Sequence, residues 1–386
     1  MSKHIFVTGI CGSGKSELIN RFIGNKVIPY FNRGIMVTKV PIEIVKVNNE
    51  ELEIFEDKEK VYVEIIMKSE DEIEKNIFDL LKINSPLLSE GKKFFYNLQQ
   101  LTKKGYFCAE DIINTEKYNS EKYSTNNSII FQKYSVNTCN LKNNIKNKLN
   151  TYNTNFVLEV ENFRKYLHDI DPLIINRIKI KCNTTCFFEE NWKIIEIPGC
   201  IYLENEYSDT SIDIIHMFNY IVNNTESIII LVGDIGRIVK YCELYFLQYI
   251  PDSYQQYKGD LKYSDYCKII ISKLIIVVSK IENFTRSDIL HIADPLFHNN
   301  VDPAAQNDDF SLTYGDLISL RWTKIHRIVD STISNLIISS LYNHYYWHSI
   351  ARINHNIPIR YIGTDNNDNY ILTELYNDIK KLFKVY

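Results

Sequence analysis

Near the amino terminus the chain sets three glycines, a lysine and two serines in the order Gly9-Ile10-Cys11-Gly12-Ser13-Gly14-Lys15-Ser16, and the chemistry of that combination is phosphate capture. Glycine lets the backbone wind so that several N–H groups point inward, and the amino terminus of a following helix adds the positive end of its dipole. In such a loop the lysine, here Lys15, reaches the β and γ phosphates of a nucleotide, and the hydroxyl, here Ser16, ligates Mg2+. Ile5, Phe6 and Val7 read as a short apolar strand ahead of it. Lys15 to Ile23 carries Leu18, Ile19 and Phe22 at helical spacing before Gly24 stops it. This is the strand, loop and helix context that a P-loop requires, which a chance glycine-rich turn lacks.

The elements that must position the loop are spread along the rest of the chain. Lys39 to Val47 alternates Val40, Ile42 and Ile44 with polar neighbours and predicts a half-buried strand. Residues 50 to 170 are rich in Asn, Lys, Glu and Tyr, with a helix expected over Asp71 to Lys82 and polar tracts such as Asn137 to Asn150. That stretch reads as an insertion, mobile at its polar ends. Ile174 to Lys181, Thr185 to Phe188 and, after a turn at Glu189-Glu190-Asn191, Trp192 to Ile197 predict strands arranged as a hairpin. A helix is expected over Ser211 to Val222, an apolar strand over Ile228 to Val232, a helix from Ile235 to about Tyr249 and a second apolar strand over Lys273 to Ser279. A helical stretch from about Gly315 to Ile350, a strand over Ile359 to Ile362 and a helix over Leu372 to Phe383 follow, with no internal repeat. Apolar strands alternating with helices argue for a parallel sheet covered on both faces.

Four further segments resemble the dynamin-like large GTPases. Asn32-Arg33-Gly34-Ile35-Met36-Val37-Thr38-Lys39-Val40-Pro41-Ile42 resembles the family's first switch, and by that resemblance Thr38 closes on Mg2+ and its carbonyl orients the attacking water. Ile194-Ile195-Glu196-Ile197-Pro198-Gly199 is similar to the second switch, with Glu196 where the family has aspartate, holding Mg2+ through its water, and Gly199 offering its N–H to the γ phosphate. Asp234, after Ile228 to Gly233, is a competing strand-end carboxylate, but the Ile-Gly-Arg that follows lacks the switch pattern. Ser279-Lys280-Ile281-Glu282 resembles the guanine-reading Thr-Lys-x-Asp, with the Lys280 stem along the base and the Glu282 carboxylate on its N1 and N2 edge. Ile359 to Asn367 resembles the last sheet strand and base-cradling loop, which brings in Asn366.

The resemblance covers about residues 1 to 50, 170 to 285 and 357 to 386. It implies an α/β fold, a P-loop NTPase three-layer sandwich with a mostly parallel sheet, as one GTPase domain over residues 1–386 with insertions at about 50–170 and 286–356. The family's long helical stalk has no counterpart in this sequence. The function implied is binding of GTP and GDP with slow Mg2+-dependent hydrolysis, and a nucleotide-dependent homodimer, since members pair across the nucleotide face. The nucleotide would be held by Gly9, Cys11, Gly12, Ser13, Gly14, Lys15, Ser16, Glu196, Gly199, Ser279, Lys280, Glu282 and Asn366, with Lys15 and Thr38 catalytic and Ser16 and Thr38 on the metal. Cys11 and Gly12 stand where the family has a glutamine and a serine that hold the attacking water and a charge-compensating cation. Phosphoryl transfer is mostly positioning and electrostatics, so such losses slow hydrolysis by powers of ten while binding survives. An inactive GTPase scaffold serving as a protein-interaction module is the alternative, and an ATP-using P-loop enzyme is the third reading.

Composition narrows the partners. A net charge of −4 and a pI near 6.2 provide no basic field for nucleic acid. Apolar runs such as Ile228 to Val232 fall far short of the ~20 residues that span a bilayer. The start of the chain passes straight into a strand pattern without a secretory signal, so a cytoplasmic location is expected. Eight scattered cysteines fit reduced thiols. Cys182, Cys186 and Cys200 read as packed thiols rather than metal ligands, and His344 and His348, four apart, as part of a tyrosine-rich packed face.

Overall fold

The structure is a computed structural model that describes residues 2–28, 39–47, 60–81, 90–114, 128–131, 134–183, 187–199, 210–234, 249–279, 358–362 and 369–385. In chain order the elements are β1 (Lys3–Thr8), α1 (Lys15–Ile23), β2 (Ile42–Lys46), β3 (Lys60–Met67), α2 (Glu70–Leu81), α3 (Glu90–Lys103), β4 (Ile112–Asn114), β5 (Ser128–Phe131), β6 (Tyr134–Asn137) and α4 (Leu141–Leu149). They continue with β7 (Asn155–Glu159), α5 (Val160–Asp169), β8 (Ile175–Cys182), β9 (Trp192–Glu196), α6 (Thr210–Asn223), β10 (Ser227–Asp234), α7 (Ile250–Gln256), α8 (Tyr263–Ser272), β11 (Leu274–Ser279), β12 (Ile359–Ile362) and α9 (Asn369–Val385). The chain divides into two compact units, one of Met1–Val61, Leu158–His168 and Ile180–Tyr386, the other of Tyr62–Val157 and Asp169–Lys179.

In the first unit the strands lie in the order β12-β11-β10-β1-β9-β2. Four neighbouring pairs are parallel, and β2 pairs antiparallel with β9. The central strands are apolar at almost every position because both faces are covered. On one face Phe6, Leu231 and Ile276 pack with Ile214, Phe218 and Ile221 of α6 and Tyr266 and Ile270 of α8. On the other, Trp192 stacks on Phe22 of α1, with ring centroids 6.3 Å apart, and meets Tyr376 and Phe383 of α9. The α/β class with a mostly parallel sheet follows directly from these contacts.

Two readings are corrected. The hairpin expected to include Trp192 to Ile197 is absent from β9, whose neighbours are β1 on one side and β2 on the other. The turn at its start does form, with Trp192 N–H donating to Glu189 O at 3.1 Å. Thr185 lies outside the described residues. Helix α8 was not anticipated, and it buries Tyr266, Cys267, Ile270 and Ile271 at helical spacing. The helices expected over Ile235 to Tyr249 and Gly315 to Ile350 fall outside the described residues except for Tyr249, which precedes α7.

In the second unit α2 begins at Glu70 because Ser69 and Glu72 form a capping box, Ser69 N–H donating to Glu72 Oε2 at 2.8 Å and Glu72 N–H to Ser69 Oγ at 3.3 Å. Strands β4, β6 and β5 make a small antiparallel sheet. The tract from Asn137 to Asn150, expected to be polar and mobile, contains helix α4, because Leu141 and Ile145 share one face and bury it. Asp171 organises this unit, accepting from Tyr106 Oη at 2.8 Å and Lys104 Nζ at 3.0 Å. Burial and that carboxylate together push the Tyr106 phenol well above its ordinary range. Among the described residues no helix is long and apolar enough to cross a membrane.

Candidate phosphate-binding site

Parallel pairing aligns the carboxyl ends of β9, β1, β10 and β11 along one edge of the sheet, the place where α/β folds bind ligands. Val7 is level with Glu196, Thr8 with Leu231, and Asp234 with Ser279. Chain leaving β1 turns through Gly9 to Gly14 into α1, and Ser13 N–H donates to Ile10 O at 3.1 Å. At Gly9 the turn presses against β10. Its φ is +145° and an added Cβ would stand 2.1 Å from Val232 O and 2.9 Å from Ser13 Oγ. Only glycine fits such a position.

Lys15, the first residue of α1, is 6% exposed, and its ammonium folds back over the loop to donate to Gly9 O and Ile10 O, each at 3.0 Å. Ser16 Oγ donates to Glu196 Oε1 at 2.6 Å, joining the start of α1 to the end of β9. Glu196 is 1% exposed, so this is a buried carboxylate held by a hydroxyl. Gly199, three residues on, packs against the loop. A Cβ there would meet Cys11 Cα and N at 2.7 Å and Lys15 Nζ at 2.8 Å. Ser13 is wholly buried, and its Oγ has no hydrogen-bond partner among the described residues.

Ser279, at the end of β11, donates its hydroxyl to Ser13 O at 2.6 Å and reaches Gly233 O at 3.2 Å. Gly14 lies against it, an added Cβ being 3.4 Å from Ser279 Oγ. Ser279, which opens the Ser279-Lys280-Ile281-Glu282 segment, is thereby tied to the Gly9–Ser16 loop. Asn20 of α1 is a contributor that sequence reasoning missed. Its amide donates to Ile28 O at 2.7 Å and accepts from Ile28 N–H at 2.9 Å, fixing the chain that leaves α1. A polar residue on the buried side of an amphipathic helix was the signal available.

The fold therefore brings Gly9, Cys11, Gly12, Ser13, Gly14, Lys15, Ser16, Glu196, Gly199 and Ser279 to one edge. Thr38, Lys280, Glu282 and Asn366 lie outside the described residues, as do Cys186, Cys200, His344 and His348. Cys182 is buried in the core, where desolvation pushes its thiol up to about 12, in keeping with a packed thiol. Among the described residues no group of three or more His, Cys, Asp or Glu could hold a metal ion.

No family model and no curated protein matches the chain. Among solved structures it is similar to two described as an oligomerised bacterial dynamin pair that provides a mechanism for the long-range sensing and tethering of membranes. The identities are 13% and 11%, and the TM-scores 0.46 and 0.42. Each match covers 100% of this chain and 40% of the other, so the chain spans about two fifths of the length of those proteins.

Proposed function

We propose that this chain binds GTP and GDP at the Gly9–Ser16 loop and hydrolyses GTP slowly to GDP with Mg2+. The observation that carries the reading is the joint placement of a loop ammonium, a helix-start hydroxyl and a strand-end carboxylate, with Lys15 over the loop and Ser16 on Glu196 at 2.6 Å. A hydroxyl and a carboxylate are the hard oxygen donors that Mg2+ takes, so this pair fits the ion, Ser16 as a direct ligand and Glu196 through a metal-bound water. Held there, Mg2+ would supply positive charge against the charge that develops on the phosphates.

The chain's own residues do the rest. Backbone N–H groups of the loop cradle the phosphates at the amino terminus of α1, and Lys15 supplies a fixed positive charge beside them. Thr38 orients the attacking water. Lys280 and Glu282, with Asn366, read guanine, whose N1 and N2 donors satisfy a carboxylate that adenine leaves unpaired. Pairing of two copies across the nucleotide face follows from the same family resemblance, and light scattering with a non-hydrolysable GTP analogue tests it by a doubling of mass.

Cys11 and Gly12 favour a second reading, an inactive scaffold that binds partners, because neither side chain offers the water-holding groups found at those places in the dynamin-like family. Thermal unfolding with Mg2+ and saturating GTP, GDP or ATP separates the readings. A ligand at ~100 times its dissociation constant stabilises by about 2.7 kcal/mol. A guanine-selective upward shift that Lys15→Ala abolishes is the expected result. Absence of a shift with every nucleotide rejects nucleotide binding and leaves the scaffold. Where binding holds, Cys11→Gln with Gly12→Ser should raise the rate of phosphate release.

A further inference from the structure

We propose that Cys108 and Cys139 are a redox pair, joined by hydrogen peroxide in a disulfide that closes the chain around the small sheet β4-β6-β5 and reopened by a thiol reductant. The proposal stands apart from the nucleotide site, since both residues belong to the second unit.

The two cysteines sit on two short segments that the fold ties together at both ends. At one end β4 and β6 pair antiparallel, with Ile112 level with Val136. The next residues outward are Asp111 and Asn137, and each holds one of the cysteines by its backbone. Cys108 N–H donates to Asp111 Oδ2 at 2.7 Å, and Cys139 N–H donates to Asn137 Oδ1 at 3.0 Å. Asp111 N–H returns to Cys108 O at 3.1 Å, which curls that chain back toward the sheet. At the other end the Asn144 amide of α4 donates to Tyr106 O at 3.0 Å. Residues 106–111 and 137–144 therefore run antiparallel between two ties, one cysteine on each.

Both cysteines are exposed, and both lie in turns outside the helices and strands, so a side chain can rotate without breaking a ladder bond. A disulfide needs Cα atoms about 4.4–6.8 Å apart, and chains paired like β4 and β6 put facing Cα atoms at about 4.5–5.5 Å. The other described cysteines lack this setting. Cys182 and Cys267 are buried, and desolvation pushes their thiols up to about 12 and about 11, which suppresses the reactive thiolate. Cys11 lies in the first unit.

The oxidation balances without any further reactant. The sulfur of one cysteine attacks the peroxide O–O bond and becomes a sulfenic acid, releasing one water. The second sulfur then displaces the sulfenic hydroxyl, forming the S–S bond and a second water. The two thiol protons leave in those waters, the two sulfurs are oxidised and the two peroxide oxygens are reduced. A thiol reductant restores both thiols by exchange. The closed loop spans β4, β5 and β6, so the bond restricts the unfolded chain around the small sheet.

The test treats the full chain with hydrogen peroxide, blocks remaining thiols with iodoacetamide and maps tryptic peptides of the monomer-mass chain with and without dithiothreitol. One linked peptide pair holding Cys108 and Cys139 is expected, lost on reduction, together with a melting temperature raised by a few degrees. Cys108→Ser and Cys139→Ser should each abolish the linked pair and the shift. A map in which the two carry only iodoacetamide or unlinked oxidation products overturns the proposal, as does linkage of either to another cysteine or to a second copy. A linked pair that leaves the melting temperature unchanged overturns the closure of the sheet. Should a serine variant fail to fold, the wild-type map decides by itself.

Discussion

Replacing Ser279 by alanine deletes one hydroxyl at the end of β11 and with it the tie to the Gly9–Ser16 loop. The hydroxyl is 9% exposed at the residue level and donates at 2.6 Å to Ser13 O, with Gly233 O a longer acceptor at 3.2 Å. A typical intramolecular hydrogen bond contributes about 0.5–1.5 kcal/mol net, and a buried group left without its partner costs about 1–3 kcal/mol. Water has little access to a wholly buried Ser13, so the upper part of that range applies. On a chain of this length the loss lowers the melting temperature by a few degrees. Nucleotide binding should suffer as well, because the loop's N–H groups must then be ordered when ligand arrives. If about 1.4 kcal/mol of that ordering shifts to the binding step, affinity falls about tenfold. Ser279→Thr keeps the hydroxyl and should restore most of both. Scanning calorimetry without ligand, followed by titration with GDP, reads the two effects separately. An alanine variant that melts with wild type and binds GDP unchanged would refute the tie between β11 and the loop.

Two other perturbations follow from the same geometry and from a lysine behind it. Gly9→Ala places a methyl 2.1 Å from Val232 O in the middle of the sheet at φ +145°, whereas Gly14→Ala at φ +93° meets Ser279 Oγ only at 3.4 Å. Backbone strain of about 1–2 kcal/mol applies to both, and overpacking against β10 adds about 1–3 kcal/mol to the first alone, so urea midpoints should fall much further for Gly9→Ala; the reverse order would discredit the loop's seat on β10. Lys273 is 2% exposed and donates to Ile221 O at 2.7 Å and Asn224 O at 2.5 Å, and desolvation lowers its ammonium to about 8. Its folded value lies below the unfolded one of about 10.4, so the unfolded chain binds more protons between them and this group makes stability rise from pH 8 to about 10.5. Urea melts at pH 7.5 and 10 should show that rise in wild type and lack it in Lys273→Met, while parallel pH profiles would sink the assignment.

What was legible depended on whether neighbours in sequence are neighbours in space. The glycine-rich loop is contiguous, and its spacing alone announced the order of β1, Gly9–Gly14 and α1, including the stop at Gly24, which adopts φ +72°. Strand β9 was found but its partner was not, because adjacency in sequence favours a hairpin and nothing in Ile42–Lys46 announces that it pairs with residues 150 positions later. Helix α8 was hidden by its own composition. Ile269, Ile270 and Ile271 run almost directly into Leu274–Val278, and short apolar runs do not separate helix from strand by periodicity. The boundary falls at Ser272 and Lys273, where Lys273 N–H turns back to Ile270 O at 3.2 Å and its ammonium donates to Ile221 O of α6 and to Asn224 O just past it. In Asn137–Asn150 polar composition masked two apolar residues four apart, which is enough to seat one helical face.

Glu196, which stands where the resemblance to the dynamin-like family calls for aspartate, is placed by the strand register. In the fold, β9 lies directly beside β1, with Val7 level with Glu196, and the loop spends residues 9 to 14 before α1 begins at Lys15. The Glu196 carboxylate joins the strand end to the helix start, accepting from Ser16 Oγ at 2.6 Å. Ile197 keeps the strand end from adjusting, since its N–H is bonded to Val7 O and its side chain is buried in the core. Glu196 is thereby held between a buried strand end and the first turn of α1, so Glu196→Asp measures how far the Ser16 contact depends on the added methylene.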